Sequence, residues 1–312
     1  MKNLLDFALQ ERYDRVKTLK PQLQDMKKLL DWNAFEQLFA ERDSKIGRPP
    51  YERVLMIKLL FLQSWYGISD EELEFQVTDR LSFQQFLDYP KTIPDYSTIW
   101  RFREELQEND MADNVWEELQ NQIAGKGFEI QKGHIQDASF VQAPPGKKKS
   151  GMENRGREAK TSRSKDGTWT KKNNKSYFGF KKHVKVELTT KLIREVAVTT
   201  ASTHDNEIDL LKPGEIGYRD KAYTGVKSKA LGNGSMKRGN LSPKEMLRNK
   251  RISKKRCRGE HPFGIMTRCM KSGYTNLTTC GRVFVQQVFV CCAYNLLRIK
   301  FLMKARDSSL KN

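Results

Sequence analysis

The chain of 312 residues carries a net charge of +19, and its apolar fraction of 38% and mean hydropathy of −0.72 predict a soluble protein with a core of its own. It contains no run of the roughly 18 apolar residues that a membrane-spanning helix needs. Its N-terminus carries acidic residues and lacks the apolar segment of a signal peptide. We therefore expect a cytoplasmic protein without a membrane partner.

The charge is divided unevenly along the chain. Residues 1–124 hold 16 Lys and Arg against 23 Asp and Glu, a net charge of −7, whereas the remaining 188 residues hold 41 against 15, a net charge of +26. A surface as basic as that of the second region attracts polyanions, so the sequence predicts nucleic acid as the partner.

The first region, residues 1–125, is predicted to form a helical N-terminal domain. Apolar residues at helical spacing between Val54 and Trp65 predict a helix that ends at Gly67. Ser69 with Glu72 three residues later has the pattern of a capping box and predicts the start of another helix.

A third helix is predicted after a proline-bounded turn, in "IPDYSTIWRFREELQE". Asp95 or Ser97 would cap it, and it would carry Arg101 and Arg103. Two helices joined by a short turn, the second bearing arginines, resemble a helix-turn-helix that reads DNA ends. An ordinary helical bundle explains the same pattern, and the net negative charge of the region speaks against a broad DNA-binding face.

The second region, residues 126–312, is predicted to be a mixed β-sheet flanked by helices, which makes the chain an α/β protein. Strands are predicted from alternation in "GHIQDASFVQA", "YFGFKKHVKVEL", "LIREVAVTTAS" and "GEIGYRDKAY", with a short helix in "DNEIDLLK" before the fourth strand. Between the first two strands, residues 144–176 are rich in Gly, Ser, Lys and Arg and predict a basic loop that binds a phosphate backbone; a solvated loop without a partner is the alternative.

Three carboxylates stand out in this basic region by their positions. Asp137 lies in the middle of the first strand, Asp220 ends the fourth, and Glu260 enters a late helix in "RCRGEHPFG". A charged carboxylate inside a sheet needs a partner, and carboxylates gathered at one edge favour a divalent cation such as Mg²⁺ or Mn²⁺. Two such ions about 4 Å apart suit phosphoryl transfer. Spacing alone leaves a structural role open for each of the three.

Several segments in a fixed order resemble a prokaryotic insertion-sequence transposase of the DDE type, in the insertion sequence five group. The similarity extends from about residue 31 to 300. The segments that carry it are "GRPPYERVLMIKLLFLQSWYGISDEELEFQV", "IPDYSTIWRFREEL", "IQDASFVQAP", "KDGTWTKKNNKSYFGFKKHVKVE", "IREVAVTTASTHD", "YRDKAYTG" and "RCRGEHPFG".

The resemblance implies a ribonuclease H-like fold for the second region, in which Asp137, Asp220 and Glu260 are the catalytic, metal-binding residues. Arg256 is then the arginine of the family's arginine-x-x-x-glutamate signature. Asp205 is the rival for the second aspartate, at a position where it could instead cap a helix.

The resemblance also implies a set of contacts to DNA. Relatives commonly carry a basic residue seven positions after the glutamate, where this chain has Thr267, so Arg268 or Lys271 is assigned that role. The full predicted set of DNA-binding residues comprises Arg101, Arg103, Lys181, Lys182, Arg219, Lys221, Arg256, Arg268 and Lys271.

The predicted activity is metal-dependent cleavage at the ends of an insertion sequence and strand transfer into target DNA. Double-stranded DNA, as terminal inverted repeats and as target, is the implied partner, with two Mg²⁺ ions, or Mn²⁺, as cofactors. We expect at least a dimer on DNA, in the cytoplasm and nucleoid of a prokaryote. The alternatives are a metal-dependent nuclease of the same fold and a non-catalytic DNA-binding protein derived from a transposase.

Overall fold

The structure is a computed structural model that describes residues 4–19, 22–39, 49–147, 165–172, 174–226, 228, 230 and 232–309. The chain divides into two compact units. The first comprises the residues up to Lys126 together with those from Ile299, and the second comprises Gly127–Arg298.

The first unit is helical in the ranges that the structure describes. Its helices are α1 (Leu4–Leu19), α2 (Gln22–Lys27), α3 (Arg53–Tyr66), α4 (Asp70–Asp79), α5 (Leu81–Phe86), α6 (Tyr96–Glu108) and α7 (Met111–Gly125), with a 3₁₀ helix at Asn33–Leu38. Trp32 lies at the centre of its core, with its ring packed edge-on against the rings of Phe61 and Phe86. All three side chains are buried, so one aromatic cluster joins the segment before α3 to α3 and α5.

The predicted helix boundaries of the first unit are confirmed. Helix α3 ends at Gly67, whose φ of 59° is the left-handed conformation that terminates helices. The Ser69 hydroxyl accepts the N–H of Glu72 at the start of α4. Of the two candidate caps for α6 it is Asp95 that acts, because its carboxylate accepts the N–H of Thr98 at 2.6 Å.

The second unit contains a six-stranded mixed sheet, which confirms the predicted fold class. The strands are β1 (Gly133–Gln142), β2 (Thr168–Lys172), β3 (Lys175–Glu187), β4 (Ile193–Thr200), β5 (Ile216–Arg219) and β6 (Gly232–Ser235). Strand β3 is antiparallel to β1 on one edge and to β2 and β4 on the other, while β1, β5 and β6 are parallel in that order. Helices α8 (Pro243–Arg268) and α9 (Cys280–Ser309) complete the unit, α9 through Arg298.

The predicted loop over residues 144–176 is wrong at its C-terminal end, and its residues 148–164 lie outside the described ranges. Residues 168–172 form strand β2, which pairs with the start of β3. Trp169 of β2 packs against a buried cluster that includes Phe178 and Val283. This apolar contact within the basic stretch stabilises the strand.

The predicted short helix over residues 205–212 is also wrong. Only Asp205–Glu207 form a turn of 3₁₀ helix. Beyond it the backbone N–H groups of Leu210, Leu211 and Lys212 are each bonded to a side-chain oxygen. Side chains that bind nearby backbone groups compete with the helical ladder, and here they replace it.

Candidate active site

Asp137 lies in the middle of β1, as predicted, on the face that α8 covers. Ile135, two residues earlier and on the same face, packs against Gly259 of α8. The Asp137 carboxylate accepts two hydrogen bonds, one from the N–H of Ala138 at 3.0 Å and one from Nη2 of Arg256 at 2.7 Å. The ion pair with Arg256 joins residues 119 positions apart, so α8 places a guanidinium directly on the predicted catalytic carboxylate.

Asp220 follows β5 directly, on the strand next to β1. The parallel register pairs Ile135 with Tyr218, so Asp137 and Asp220 each lie two residues beyond a paired position. The Asp220 carboxylate accepts the N–H of Ala222 at 2.7 Å and thereby caps a turn of 3₁₀ helix. The short strand β5 ends level with the middle of β1, and this is how two residues far apart in sequence become neighbours on adjacent parallel strands.

The electrostatics of Asp137 reflect this neighbourhood. Burial raises the pKa of its carboxyl, and the negative charge of Asp220 raises the pKa further. The guanidinium of Arg256 and the N–H of Ala138 act in the opposite direction. The ionised form of Asp137 is therefore at a disadvantage that additional positive charge would relieve.

Glu260 occupies a different environment from the two aspartates. It lies in the interior of α8, which begins at the cap Ser242 and continues through Pro262, so the prediction that it enters a helix is wrong. Its side chain is exposed. Arg256, four residues earlier, lies on the same helical face, one turn closer to the N-terminus of α8.

Two of the three predicted ligands suit a divalent ion. Asp137 and Asp220 supply the hard oxygen ligands that Mg²⁺ and Mn²⁺ prefer, and the charge of the pair favours a cation. Within the described ranges, however, no group of three or more His, Cys, Asp or Glu side chains is close enough to hold a metal. The structure thus brings together Asp137, Asp220 and Arg256, with Glu260 standing apart on the helix.

Tyr223 is a site residue that the sequence analysis did not select. It is fully buried in the turn after Asp220, with the guanidinium of Arg219 centred 5.6 Å from its ring. Among the described residues its hydroxyl has no hydrogen-bond partner. Burial raises its pKa strongly, and the charges of Asp205, Asp137 and Asp220 raise it further. Its position three residues after a predicted catalytic aspartate was the signal available in the sequence.

Asp205, the rival for the second aspartate, is paired with a lysine. Its carboxylate accepts a hydrogen bond from Nζ of Lys181 at 2.9 Å, and the same ammonium donates to the carbonyl of Thr203 at 2.6 Å. The predicted capping role for Asp205 is wrong, because the cap of this turn is His204, whose ring accepts the N–H of Asn206.

Three residues of the predicted DNA-binding set are buried and form contacts within the protein. Arg103 forms an ion pair with Asp70, and Arg219 forms one with Asp209. Lys182 is 1% exposed and donates to a serine hydroxyl. A buried charge must be paired or hydrogen-bonded, so these side chains serve the interior and not a DNA surface.

The remaining predicted basic residues reach solvent to different extents. Lys181 and Arg256 are partly exposed and paired, as described above. The exposed members of the set are Arg101, Lys221, Arg268 and Lys271. Helix α8 adds exposed basic residues that were not predicted to bind DNA: Lys244, Lys250, Arg251, Lys254, Lys255 and Arg258.

Two carboxylates on adjacent parallel strands, beside a helix with exposed basic side chains, suit an enzyme that acts on nucleic acid. A family model described as "Transposase domain (DUF772)" matches residues 10–105, and one described as "Transposase DDE domain" matches residues 131–296. The second match covers more than half of the chain, which therefore belongs to the DDE transposase family. No solved structure matches the chain significantly.

Membership establishes the function at the level of the family. The chain is an insertion-sequence DNA transposase, an enzyme that cleaves DNA and transfers strands, with a ribonuclease H-like fold and a dependence on divalent metal. Of the helices in the described ranges, not one combines the length and apolar character that crossing a bilayer requires.

Proposed function

We propose that Asp137, Asp220 and Glu260 are the catalytic carboxylates of this transposase, and that they hold two Mg²⁺ ions, which Mn²⁺ can replace. The observation that carries the proposal is the placement of Asp137 and Asp220 on adjacent parallel strands with a cation, Arg256, already bound to Asp137. Glu260 lies one helical turn beyond Arg256, and its side chain is exposed. To join the site, either helix α8 moves or the Glu260 side chain turns toward the two aspartates.

The reaction has two phosphoryl transfers. Water attacks the phosphodiester at the element end, the bond to the 3′ oxygen breaks, and a free 3′-hydroxyl remains. That hydroxyl then attacks a target phosphodiester, forming one phosphorus–oxygen bond as another breaks. When bound, the metal ions stabilise the charge on the attacking and leaving oxygens. No side chain needs to form a covalent intermediate with DNA.

The protein's own residues bind and orient the substrate. We assign contacts with DNA to the exposed Lys221, Arg268 and Lys271, and to Arg256 once it leaves Asp137. In the first unit, the exposed Arg101 on α6 is the candidate for reading the terminal inverted repeats, if that unit acts as a helix-turn-helix.

The assembly follows from the chemistry of the substrate. Two element ends must be cut and joined to one target, so we propose at least a dimer on DNA. We place the enzyme where that substrate lies, in the cytoplasm and nucleoid of a prokaryotic cell.

The experiment is cleavage of a labelled element end in Mg²⁺, together with DNA binding in its absence. Alanine at Asp137, Asp220 or Glu260 is expected to abolish cleavage and preserve binding, whereas Asp205→Ala, the matched carboxylate control, is expected to retain cleavage. Substantial cleavage by Asp220→Ala, with loss in Asp205→Ala, would transfer the role to Asp205. Joined products on a target plasmid distinguish a transposase from a nuclease, and inactivity of the wild type on cognate ends would favour a non-catalytic DNA-binding protein.

A further inference from the structure

Strands β2 and β3 form a hairpin whose end carries three exposed lysines. Lys172 lies directly opposite Lys175 in the last pair of the ladder, and Lys171 lies opposite Ser176. Successive side chains of a strand point to opposite faces, so Lys172 and Lys175 emerge on one face of the ribbon and Lys171 on the other. Positive charge thus surrounds the end of the hairpin.

Within the described ranges, these three lysines form no ion pair. Residues 168–186 contain no Asp or Glu. In the described part of the chain, none of the three ammonium groups has a carboxylate partner, and like charges directly opposite each other destabilise a sheet. Further along β3 the lysines do have carboxylate partners: Lys181 pairs with Asp205, and Lys185 pairs with Glu215.

The hairpin end is attached to the sheet by two aromatic rings. Phe140 of β1 and Tyr177 of β3 are stacked, with centroids 5.0 Å apart and planes 5° from parallel. The ammonium of Lys172 lies 5.7 Å from the centroid of the Phe140 ring, a cation–π contact. The lysines are therefore carried on a ribbon that is held in place before any ligand binds, which lowers the entropic cost of binding.

We propose that the end of this hairpin binds the sugar–phosphate backbone of duplex DNA, with Lys172 and Lys175 on one side of the ribbon and Lys171 on the other. A two-stranded ribbon fits the major groove, whose two walls present phosphates to both faces. The inference rests on DNA as the substrate of the proposed function and is independent of which carboxylates are catalytic.

The test measures the affinity of the full-length protein for a short labelled duplex, by fluorescence anisotropy, over a range of salt concentrations. Each lysine–phosphate contact contributes about 0.9 to the slope of log Kd against log salt, so Lys171→Gln, Lys172→Gln and Lys175→Gln together are expected to lower the slope by about 2.7. The control removes the same charge at the exposed Lys28, Lys132 and Lys304, and its slope is expected to stay at the wild-type value.

Two results would overturn the proposal: a hairpin variant with the wild-type slope, or a control variant whose slope falls equally. A hairpin variant that keeps the wild-type slope but loses binding to an acidic peptide would assign the hairpin to a protein partner instead. Thermal melting of each variant checks the fold. Cleavage at low salt, where the variant still binds DNA, is expected to persist, whereas cleavage by Asp220→Ala would contradict the catalytic assignment and leave the hairpin result intact.

Discussion

The ion pair between Arg256 and Asp137 predicts that the arginine competes with the metal. Arg256 donates to Asp137 at 2.7 Å and supplies the positive charge that a divalent ion would otherwise bring to this carboxylate. The Arg256 guanidinium and a metal ion cannot both occupy the same position at the Asp137 carboxylate oxygen. Arg256→Ala is therefore expected to bind metal more tightly in the absence of DNA, although it loses a contact with the substrate.

The magnitude follows from the geometry of the pair. A hydrogen bond between charged groups contributes about 1.5–3 kcal/mol when shielded from water. The two side chains are 20% and 32% exposed, and solvent screening reduces the contribution to about 1 kcal/mol. At 1.4 kcal/mol for each factor of ten, removal of Arg256 is expected to tighten metal binding about fivefold.

The assay is calorimetric titration of Mn²⁺ into the DNA-free protein, with Arg258→Ala as the control. Arg258 is exposed on the same helix, so its removal changes the net charge equally without touching Asp137. Equal or weaker metal binding in Arg256→Ala than in the control would refute the reasoning. Cleavage at saturating metal is expected to fall in Arg256→Ala. In the wild type, metal binding releases the Arg256 guanidinium from Asp137 to contact a DNA phosphate, and the variant lacks that contact.

Two further predictions concern the interior. Burial lowers the pKa of Lys182 from 10.5 to about 8, so its ionisation costs stability at neutral pH, and Lys182→Met is expected to stabilise the fold at pH 7 by up to about 3 kcal/mol. The stability gain of Lys182→Met over the wild type should shrink between pH 8 and 10.5, as Lys182 of the wild type loses its proton. DNA affinity should be unchanged. A stability gain that stays constant with pH in thermal melts would contradict the reasoning. Gly259→Ala places a Cβ 2.9 Å from Cγ2 of Ile135 and should displace α8 and reduce cleavage, whereas Gly264→Ala meets nothing within 4 Å and should stabilise the helix by about 1 kcal/mol in urea unfolding. If Gly259→Ala and Gly264→Ala had equal effects on cleavage and stability, the close approach of α8 to β1 at Gly259 would not be required.

Local patterns predicted the secondary structure where local interactions decide it. The end of α3 at Gly67 and the cap Ser69 depend on residues within one turn and are as predicted, and the cap of α6 is Asp95, one of the two candidates. Strand β2 was missed because its anchor, Trp169, packs against residues distant in sequence. The absent helix over residues 205–212 has the same origin, since the Leu210 N–H is bonded to the side chain of a residue in β1.

The catalytic candidates divide in a similar way. The family resemblance implies that Asp137 and Asp220 lie on adjacent strands, and the parallel pairing of β1 with β5 brings them level with each other. The exposed position of Glu260 inside a long helix does not follow from the pattern around it, because the start of α8 lies 17 residues earlier.

The sequence by itself determined the fold class and the family, because periodicity, capping and motif order can all be read along the chain. Only the tertiary structure decided which basic residues are available to DNA. Arg103 and Arg219 look like any other arginine in the sequence, yet each is buried against a carboxylate. A charge is free or paired according to what strand order and helix packing bring to within a few ångströms, as they bring Arg256 to Asp137.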